Sequence, residues 1–379
     1  MRIRTLQRLL PASILLALLP LVNPLTAQDR PATRDPLYPE WRTNTAKHLI
    51  HLDDLDSPGV TKDGIPAINQ PKFVTTKEAR AWLGDREPVI ATEINGVSRA
   101  YPMQILIWHE VANDVVGGVP VVVTFCSICH SAIVFDRRVA GRALSFGVSG
   151  FVYGANMVLY DRETESWWQQ FTGQAVVGDL TGSKLKRLPA QIISFAEFAA
   201  AYPGGQVLSR QTGFQRDYGR NPHLKYDNLN GYPSHFRGKL DRRLKPMEKV
   251  IGVEVGDKAR AYPYAISRAR HVIADRIGAQ DIVIFHAEGT RAALDEEYIR
   301  DSKEAGSTGV FDPSVNGRRL TFRYEQGEFV DEVTGSHWNV LGQAVSGPLR
   351  GQRLKRLSHG DYFAFAWIAY KPQTEIYAQ

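Results

Sequence analysis

The sequence predicts a β-rich α+β fold, an internal duplication of one mainly antiparallel β unit with short capped helices. Runs of β-branched and aromatic residues between turn-forming residues indicate many short strands. Blocks of sequence recur in the same order along the chain, which indicates two copies of one unit. The recurring blocks, written as first copy and second copy, are 89–102 and 250–263, 135–146 and 311–322, 161–168 and 331–338, 173–176 and 342–345, and 185–188 and 354–357.

The N-terminus has the layout of a secretory signal peptide. Three arginines precede an apolar run from Leu9 to Val22, and small residues around Ala27 suit cleavage. The run is short and broken by prolines, unlike a membrane-spanning helix. We therefore expect an exported, periplasmic protein whose mature chain has no integral membrane span.

The remaining chain divides by composition and by the repeats. The predicted organisation is a signal peptide (1–27), an extended polar lead-in (28–60), a first repeat unit (61–205), an ordered connection (206–246) and a second repeat unit (247–373).

Local signals place several elements in the first unit. Capping boxes at 75–78 and 194–197 predict two helix starts, and Asn95-Gly96 predicts a tight hairpin. The stretch 103–113 follows Pro102 and is apolar on most sides, so we expect a buried helix there.

The charge of the chain argues against several partners. The net charge of +6 falls to +3 once residues 1–27 are removed, because that segment contains three arginines and no acid. A nearly neutral chain of this length is not expected to bind nucleic acid. The sequence has no G-x-S-x-G, P-loop or G-x-G-x-x-G motif, so it gives no support for a hydrolase, nucleotidase or dinucleotide enzyme.

The two cysteines of the chain stand together in Cys126-Ser127-Ile128-Cys129-His130. β-branched runs on both sides predict a strand, a tight corner and a second strand, which brings the two sulfurs to one point. The corresponding residues of the second copy, 285–290, contain no cysteine. Features found in one copy only are the better functional candidates, so we expect the site here.

Several separate motifs resemble the family called domain of unknown function 3179 (DUF3179). They span most of the chain from Lys62 onward. The motifs are 62–66, 100–102, 108–110 with 113–114, the C-x-x-C with 131–132, 146–150 and 161–168. The resemblance implies an exported or membrane-associated protein and no particular activity. The family pattern usually reads Cys-Pro-Leu-Cys followed by Asn or Gly, so His130 departs from it.

Three kinds of chemistry fit a C-x-x-C corner. A c-type haem protein is the least favoured, because haem attachment normally lies at a helix start and the family pattern lacks the histidine. A thiol/disulfide oxidoreductase, or a structural disulfide without metal, is the alternative in an oxidising compartment.

The leading hypothesis is a transition-metal site in metal handling or redox chemistry. Soft thiolates favour copper, with zinc possible, and further ligands are expected from His109 and then His130. A third alternative is a small-ligand binding module whose pocket is lined by Glu110, Asn113, Tyr153, Asn156 and Trp168. The sequence leaves open whether the protein is an enzyme.

Overall fold

Short strands account for most of the regular structure in the computed structural model, which describes residues 38–378. The predicted β-rich fold with antiparallel sheets and short helices is confirmed. The signal peptide predicted at 1–27 lies outside the described residues. None of the helices in the described part is long and apolar enough to cross a membrane.

The first half of the described chain contributes fifteen strands and three helices. The strands are β1 (Phe73–Thr75), β2 (Pro88–Ile94), β3 (Val97–Pro102), β4 (Val111–Val116), β5 (Val119–Cys126), β6 (Ser131–Asp136), β7 (Arg138–Val139), β8 (Arg142–Ala143), β9 (Phe146–Tyr153), β10 (Asn156–Asp161), β11 (Trp167–Gln169), β12 (Gln174–Val177), β13 (Lys186–Leu188), β14 (Gln191–Ser194) and β15 (Gln206–Leu208). The helices are α1 (Thr76–Ala79), α2 (Met103–His109) and α3 (Phe195–Ala201).

The second half contributes fourteen strands and two helices. The strands are β16 (Lys249–Val255), β17 (Lys258–Pro263), β18 (Val272–Ile277), β19 (Gln280–Ala287), β20 (Ser307–Asp312), β21 (Ser314–Val315), β22 (Arg318–Arg319), β23 (Phe322–Glu325), β24 (Glu328–Asp331), β25 (His337–Trp338), β26 (Ala344–Ser346), β27 (Lys355–Arg356), β28 (His359–Phe363) and β29 (Glu375–Ile376). The helices are α4 (Tyr264–Arg270) and α5 (Ala364–Tyr370).

The sheets of the two halves have the same strand order. The order β14-β2-β3-β15 corresponds to β28-β16-β17-β29, and in both sheets the last pair is parallel. The order β13-β6-β5-β4 corresponds to β27-β20-β19-β18, and β12-β11-β10-β9 corresponds to β26-β25-β24-β23. The first half adds β1 at one edge. That the two units arose by duplication stays a prediction, as do the domain boundaries.

The structure contains the two capping boxes and the tight hairpin turn that the sequence predicts. Thr75 and Ser194 form reciprocal capping boxes with the glutamates three residues later. Asn95 and Gly96 both have positive φ, of 49° and 78°, between the antiparallel strands β2 and β3. Two positive φ angles are the requirement of the tight hairpin turn that the dipeptide predicts.

The helix predicted at 103–113 is shorter than expected. α2 ends at His109, Glu110 adopts a left-handed conformation with φ 56°, and Val111 begins β4. The apolar pattern continues unbroken because the end of the helix and most of β4 are both buried. Hydrophobic periodicity therefore cannot locate the end of α2, which is set by the left-handed conformation of Glu110.

The largest hydrophobic cluster encloses the cysteine corner. It contains residues of α2, β4, β5 and β6 together with Phe363 and Phe365 from the second half. Cys126 and Cys129 belong to the same cluster. The second unit therefore supplies part of the packing around the site of the first.

One polar network is repeated in both halves. The Trp168 indole N–H donates to Asp161 Oδ2 at 2.9 Å, and the backbone N–H of Thr164 donates to Asp161 Oδ1 at 2.6 Å. The same contacts join Trp338 to Asp331 in the second half, at 3.0 Å. The shared motif thus supports the fold.

We expect Asp161→Ala to lower the free energy of unfolding by about 1–3 kcal/mol, because it leaves the buried Trp168 N–H without an acceptor. Urea denaturation measures the change. Glu332→Ala, at an exposed glutamate, serves as the control. The double variant with Trp168→Phe is expected to recover part of the loss. Equal stability of Asp161→Ala and the control would contradict this role.

Candidate functional site

The two cysteines lie at the end of a central hairpin. β5 ends at Cys126, a 3₁₀ turn spans Ser127–Cys129, and β6 begins at Ser131. Cys126 pairs with Ser131 in the antiparallel register, so the turn closes the hairpin. Cys126 is 1% exposed, Cys129 is 0% exposed, and both are free thiols.

The residue after Cys129 must take a left-handed backbone conformation. His130 has φ 54° and ψ 40° at the C-terminal end of the 3₁₀ turn. Glycine, asparagine and, among larger residues, histidine are enriched in this region. The Asn or Gly of the family pattern meets the same requirement, so His130 is a conformational equivalent at this position.

The side chain of His130 packs against other protein groups. Its Nδ1 lies 3.2 Å from the carbonyl oxygen of Asp361, and its ring contacts Phe125 and Phe363. Burial lowers the pKa of His130 to about 3, so the ring is neutral at ordinary pH.

Two polar side chains converge on the sulfur of Cys129. Asn156 Nδ2 lies 2.8 Å and Ser131 Oγ lies 3.0 Å from Cys129 Sγ. Gln170 Oε1 accepts hydrogen bonds from the same two groups, at 2.8 Å and 2.7 Å. Gln170 Nε2 in turn donates to Thr124 Oγ1 at 2.8 Å, which fixes the orientation of the amide.

This network can serve both protonation states of Cys129. In the thiol state, the sulfur donates to Ser131 Oγ while the Ser131 hydroxyl donates to Gln170. In the thiolate state, the Ser131 hydroxyl turns to the sulfur, and Asn156 donates one N–H to the sulfur and the other to Gln170. A single hydroxyl rotation therefore leaves no buried polar group unpaired in either state.

The two thiols differ in acidity. Burial acts to raise the pKa of Cys129, but hydrogen bonds from Cys126, Ser131 and Asn156 outweigh it, so the pKa lies below its usual range. Burial, reinforced by the neighbouring Cys129, raises the pKa of Cys126. Hydrogen bonds to the charged form are the physical cause of the asymmetry. Cys129 is therefore the more acidic thiol of the pair.

The carboxyl of Glu110 acts electrostatically on this pair. Glu110 follows the last residue of α2, and its backbone carbonyl accepts from the N–H of Phe125, one residue before Cys126. Burial raises the pKa of Glu110 to about 8, and its charge contributes to raising the pKa of Cys126. Among residues 38–378 no hydrogen bond or ion pair holds the carboxylate. Glu110 can therefore exchange a proton near neutral pH beside the dithiol.

His109 is bound away from the cysteines. Its Nδ1 lies 2.7 Å from the carbonyl oxygen of Pro66, and its Nε2 lies 2.6 Å from the hydroxyl of Tyr218. Across the described residues, no three His, Cys, Asp or Glu side chains are grouped so that they could hold a metal ion. The structure thus does not bring His109 and the thiols together, and metal binding stays a prediction.

The other residues predicted to line a pocket are dispersed. Asn156 contacts Cys129, as described, and Tyr153 lines a surface cleft. Asn113 bonds the backbone of Phe146 through both of its side-chain polar atoms, and so ties β4 to β9. Trp168 belongs to the repeated network with Asp161. The five residues therefore do not form a single pocket.

The predicted connection covers the cysteine corner, which the sequence analysis did not anticipate. His223 Nε2 lies 2.9 Å from Ser127 Oγ, and the Tyr226 hydroxyl donates to the carbonyl oxygen of Ile128 at 2.9 Å. Both contacts reach the two residues between the cysteines. They join segments about a hundred residues apart, so no local sequence pattern predicts them.

Two further residues near the site, both glutamines, could have been predicted from the comparison of the two sequence copies. Gln169 and Gln170 follow Trp168, whereas Asn339 and Val340 follow the corresponding Trp338 in the second copy. Both glutamines are present in the first copy only, so the rule that singled out the cysteines also selects them.

We expect Glu110→Gln to change how stability depends on pH. A carboxyl whose pKa is raised on folding keeps its proton longer in the folded state, so wild-type stability falls as pH rises from 4.5 to about 8. The variant lacks this loss. It should match wild type below the ordinary pKa and exceed it by up to about 5 kcal/mol above the raised one.

Urea denaturation across this pH range measures the difference. Glu288→Gln, at an exposed glutamate, is the matched control and should follow wild type throughout. An offset between Glu110→Gln and wild type that is the same at every pH would contradict the assignment.

We expect Asn156→Asp to raise the pKa of Cys129 by about one unit or more, because a carboxylate replaces an N–H donor while the acceptor oxygen is kept. Ultraviolet thiolate absorbance, followed against pH in the Cys126→Ser background, reports this pKa. Asn228→Asp, on the exposed connection, is the control. An unchanged titration would show that Asn156 does not stabilise the thiolate.

Comparison with known proteins gives a family but no characterised relative. No curated protein and no solved structure matches the chain. The family described as protein of unknown function (DUF3179) matches residues 62–374, which include both β units and the connection between them. The match covers most of the chain, and the chain therefore belongs to the DUF3179 family.

Proposed function

We propose that Cys126 and Cys129 form a redox-active dithiol that exchanges with disulfides. The observation that carries the proposal is the pair of polar groups, from Asn156 and Ser131, that converge on Cys129 Sγ beside a second free thiol. A structural cysteine pair needs no such groups, whereas a nucleophilic thiol is activated by groups that stabilise its thiolate.

The proposed reaction has two steps. The Cys129 thiolate attacks one sulfur of a substrate disulfide, which forms a mixed disulfide and releases the other half as a thiolate. Cys126 then gives its proton to Glu110 and attacks Cys129 Sγ, which forms the internal disulfide and releases the second half as a thiolate. The substrate disulfide takes up the two electrons that the dithiol loses.

Glu110 suits the second step because its pKa is raised toward neutral pH and its charge acts on Cys126. A group that accepts a proton from a buried thiol near neutral pH works best when its own pKa is close to that pH. The raised pKa of about 8 meets this condition. No hydrogen bond or ion pair of the described residues holds the carboxylate, so the deprotonated form of Glu110 can accept the proton.

Burial limits the substrate. Both cysteines are buried, and the two residues between them, Ser127 and Ile128, are held by His223 and Tyr226. A large folded partner cannot approach the sulfurs without displacing protein groups around them. We therefore expect small disulfides to react faster than folded protein disulfides. The exported location expected from residues 1–27 would place the dithiol in an oxidising compartment.

Binding of a soft metal ion is the second candidate. The observation that favours it is that the two free thiols lie together, at the start and at the end of one buried turn. Two adjacent thiolates are a donor set that Cu(I) prefers, and Zn(II) accepts. Both candidates use the same atoms, so one set of measurements decides between them.

The test is reaction of the purified protein with bis(2-hydroxyethyl) disulfide, an uncharged small disulfide, followed by thiol titration and mass measurement. Wild type should lose both thiols and form an internal disulfide. Cys126→Ser should accumulate the mixed disulfide at Cys129. Cys129→Ser should react much more slowly, because the pKa of Cys126 is raised.

These two cysteine variants are each other's controls, since each keeps one thiol in the same corner. Thiols that react only after denaturation would overturn the proposal. Elemental analysis of the same preparation addresses the second candidate. Stoichiometric copper or zinc that both variants lose would establish the metal site and displace the redox proposal.

A further inference from the structure

A large cleft opens on the side of the first unit next to the dithiol. Its volume is about 1460 Å³, larger than the about 300–1,000 Å³ usual for small-molecule pockets. The lead-in segment 49–56 forms one rim, and residues 235–243 of the connection form another. Residues 152–155, residues of α5 and side chains between 169 and 176 form the rest of the lining.

The two rims carry opposite charges. Asp53 and Asp54 lie on the lead-in rim, and Lys239 and Arg242 lie on the connection rim. None of these four side chains has an ion-pair partner within residues 38–378. Asp56 and Arg237 pair with each other, and this contact joins the rims. The cleft therefore offers free anionic and free cationic groups to one ligand.

The lining between the rims is largely apolar and aromatic. It includes Tyr153, Phe236, Leu240, Phe365, Ile368 and Tyr370. A ligand with charged ends and an uncharged middle matches this distribution, because burying an unpaired charge against such a surface is costly.

Hydrogen bonds connect the cleft to Cys129. Gln169 Nε2 lies 2.6 Å from the Tyr370 hydroxyl, which lines the cleft, and 2.7 Å from Asn156 Oδ1. The other side-chain atom of Asn156, Nδ2, lies 2.8 Å from Cys129 Sγ. Gln169 also lines the cleft, so Asn156 alone lies between the cleft lining and the sulfur along this path.

We propose that this cleft binds the substrate of the dithiol, and that the substrate is a small zwitterionic disulfide of the amino-acid or short-peptide type. The inference rests on the proposed function for the identity of the reactive group. Ammonium groups of the ligand contact Asp53 and Asp54, carboxylates contact Lys239 and Arg242, and the disulfide lies on the apolar lining near Tyr370.

The binding test uses glutathione disulfide as the probe and the Cys126→Ser/Cys129→Ser variant as the protein, so that no redox reaction intervenes. Isothermal titration calorimetry should detect binding that weakens as salt is added. The charge reversals Lys239→Glu and Arg242→Glu together should weaken it at least about fivefold, because they replace attraction for the carboxylates of the ligand by repulsion.

Arg350→Glu is the matched control, because Arg350 is exposed, has no ion-pair partner in the described residues and lies outside the cleft. It should bind the probe as the parent protein does. No binding, or binding that the double reversal leaves unchanged, would overturn the assignment of the cleft.

Kinetics with intact thiols separate this inference from the proposed function. Wild type should react faster with glutathione disulfide than with bis(2-hydroxyethyl) disulfide, and the double reversal should remove only that preference. Reaction with both disulfides at rates that the reversal does not alter would reject the cleft and keep the redox dithiol. Failure to react with either would reject the dithiol, while calorimetry still reports on the cleft.

Discussion

The hydrogen bonds of the Asn156 side-chain amide hold the structure around the site together. Its nitrogen lies at Cys129 Sγ, and its oxygen accepts from Gln169 and from the backbone N–H of Phe171. The residue thereby ties the β5–β6 corner to the strand β10 that it begins and to the segment after β11. Asn156 is 0% exposed, so all of these polar groups must find their partners within the protein.

This requirement gives the corner its chemical asymmetry. A buried thiol in a purely apolar environment would have a raised pKa, as Cys126 does. Cys129 differs because the polar groups that need partners are directed at its sulfur. The same burial raises the pKa of Glu110, which has no compensating donor. Burial away from water thus accompanies a raised or a lowered pKa, depending on the hydrogen bonds that each group receives.

The second unit keeps the backbone geometry of the first unit but lacks the two cysteines. His286 replaces Cys126, and its Nδ1 lies 2.9 Å from Ser267 Oγ. Its Nε2 has no hydrogen-bonding partner among the described residues and packs against Gly306. The left-handed residue at the end of the helix is kept, as Glu110 in the first unit and His271 in the second. Backbone geometry is therefore shared, while the side chains that build the dithiol environment are confined to the first unit.

The β-rich architecture, the capping boxes, the Asn95-Gly96 turn and the hairpin that joins the two cysteines can be predicted from the amino-acid sequence. These features depend on contacts between residues close in the chain, where side-chain type and spacing dictate the geometry. The surroundings of the two sulfurs, by contrast, follow from contacts between distant parts of the fold. In the folded protein His109 contacts Tyr218, Asn156 contacts Cys129, and residues of the connection contact the turn between the two cysteines. Such contacts join residues tens to more than a hundred positions apart, and the packing of whole sheets selects them, so no local pattern encodes them.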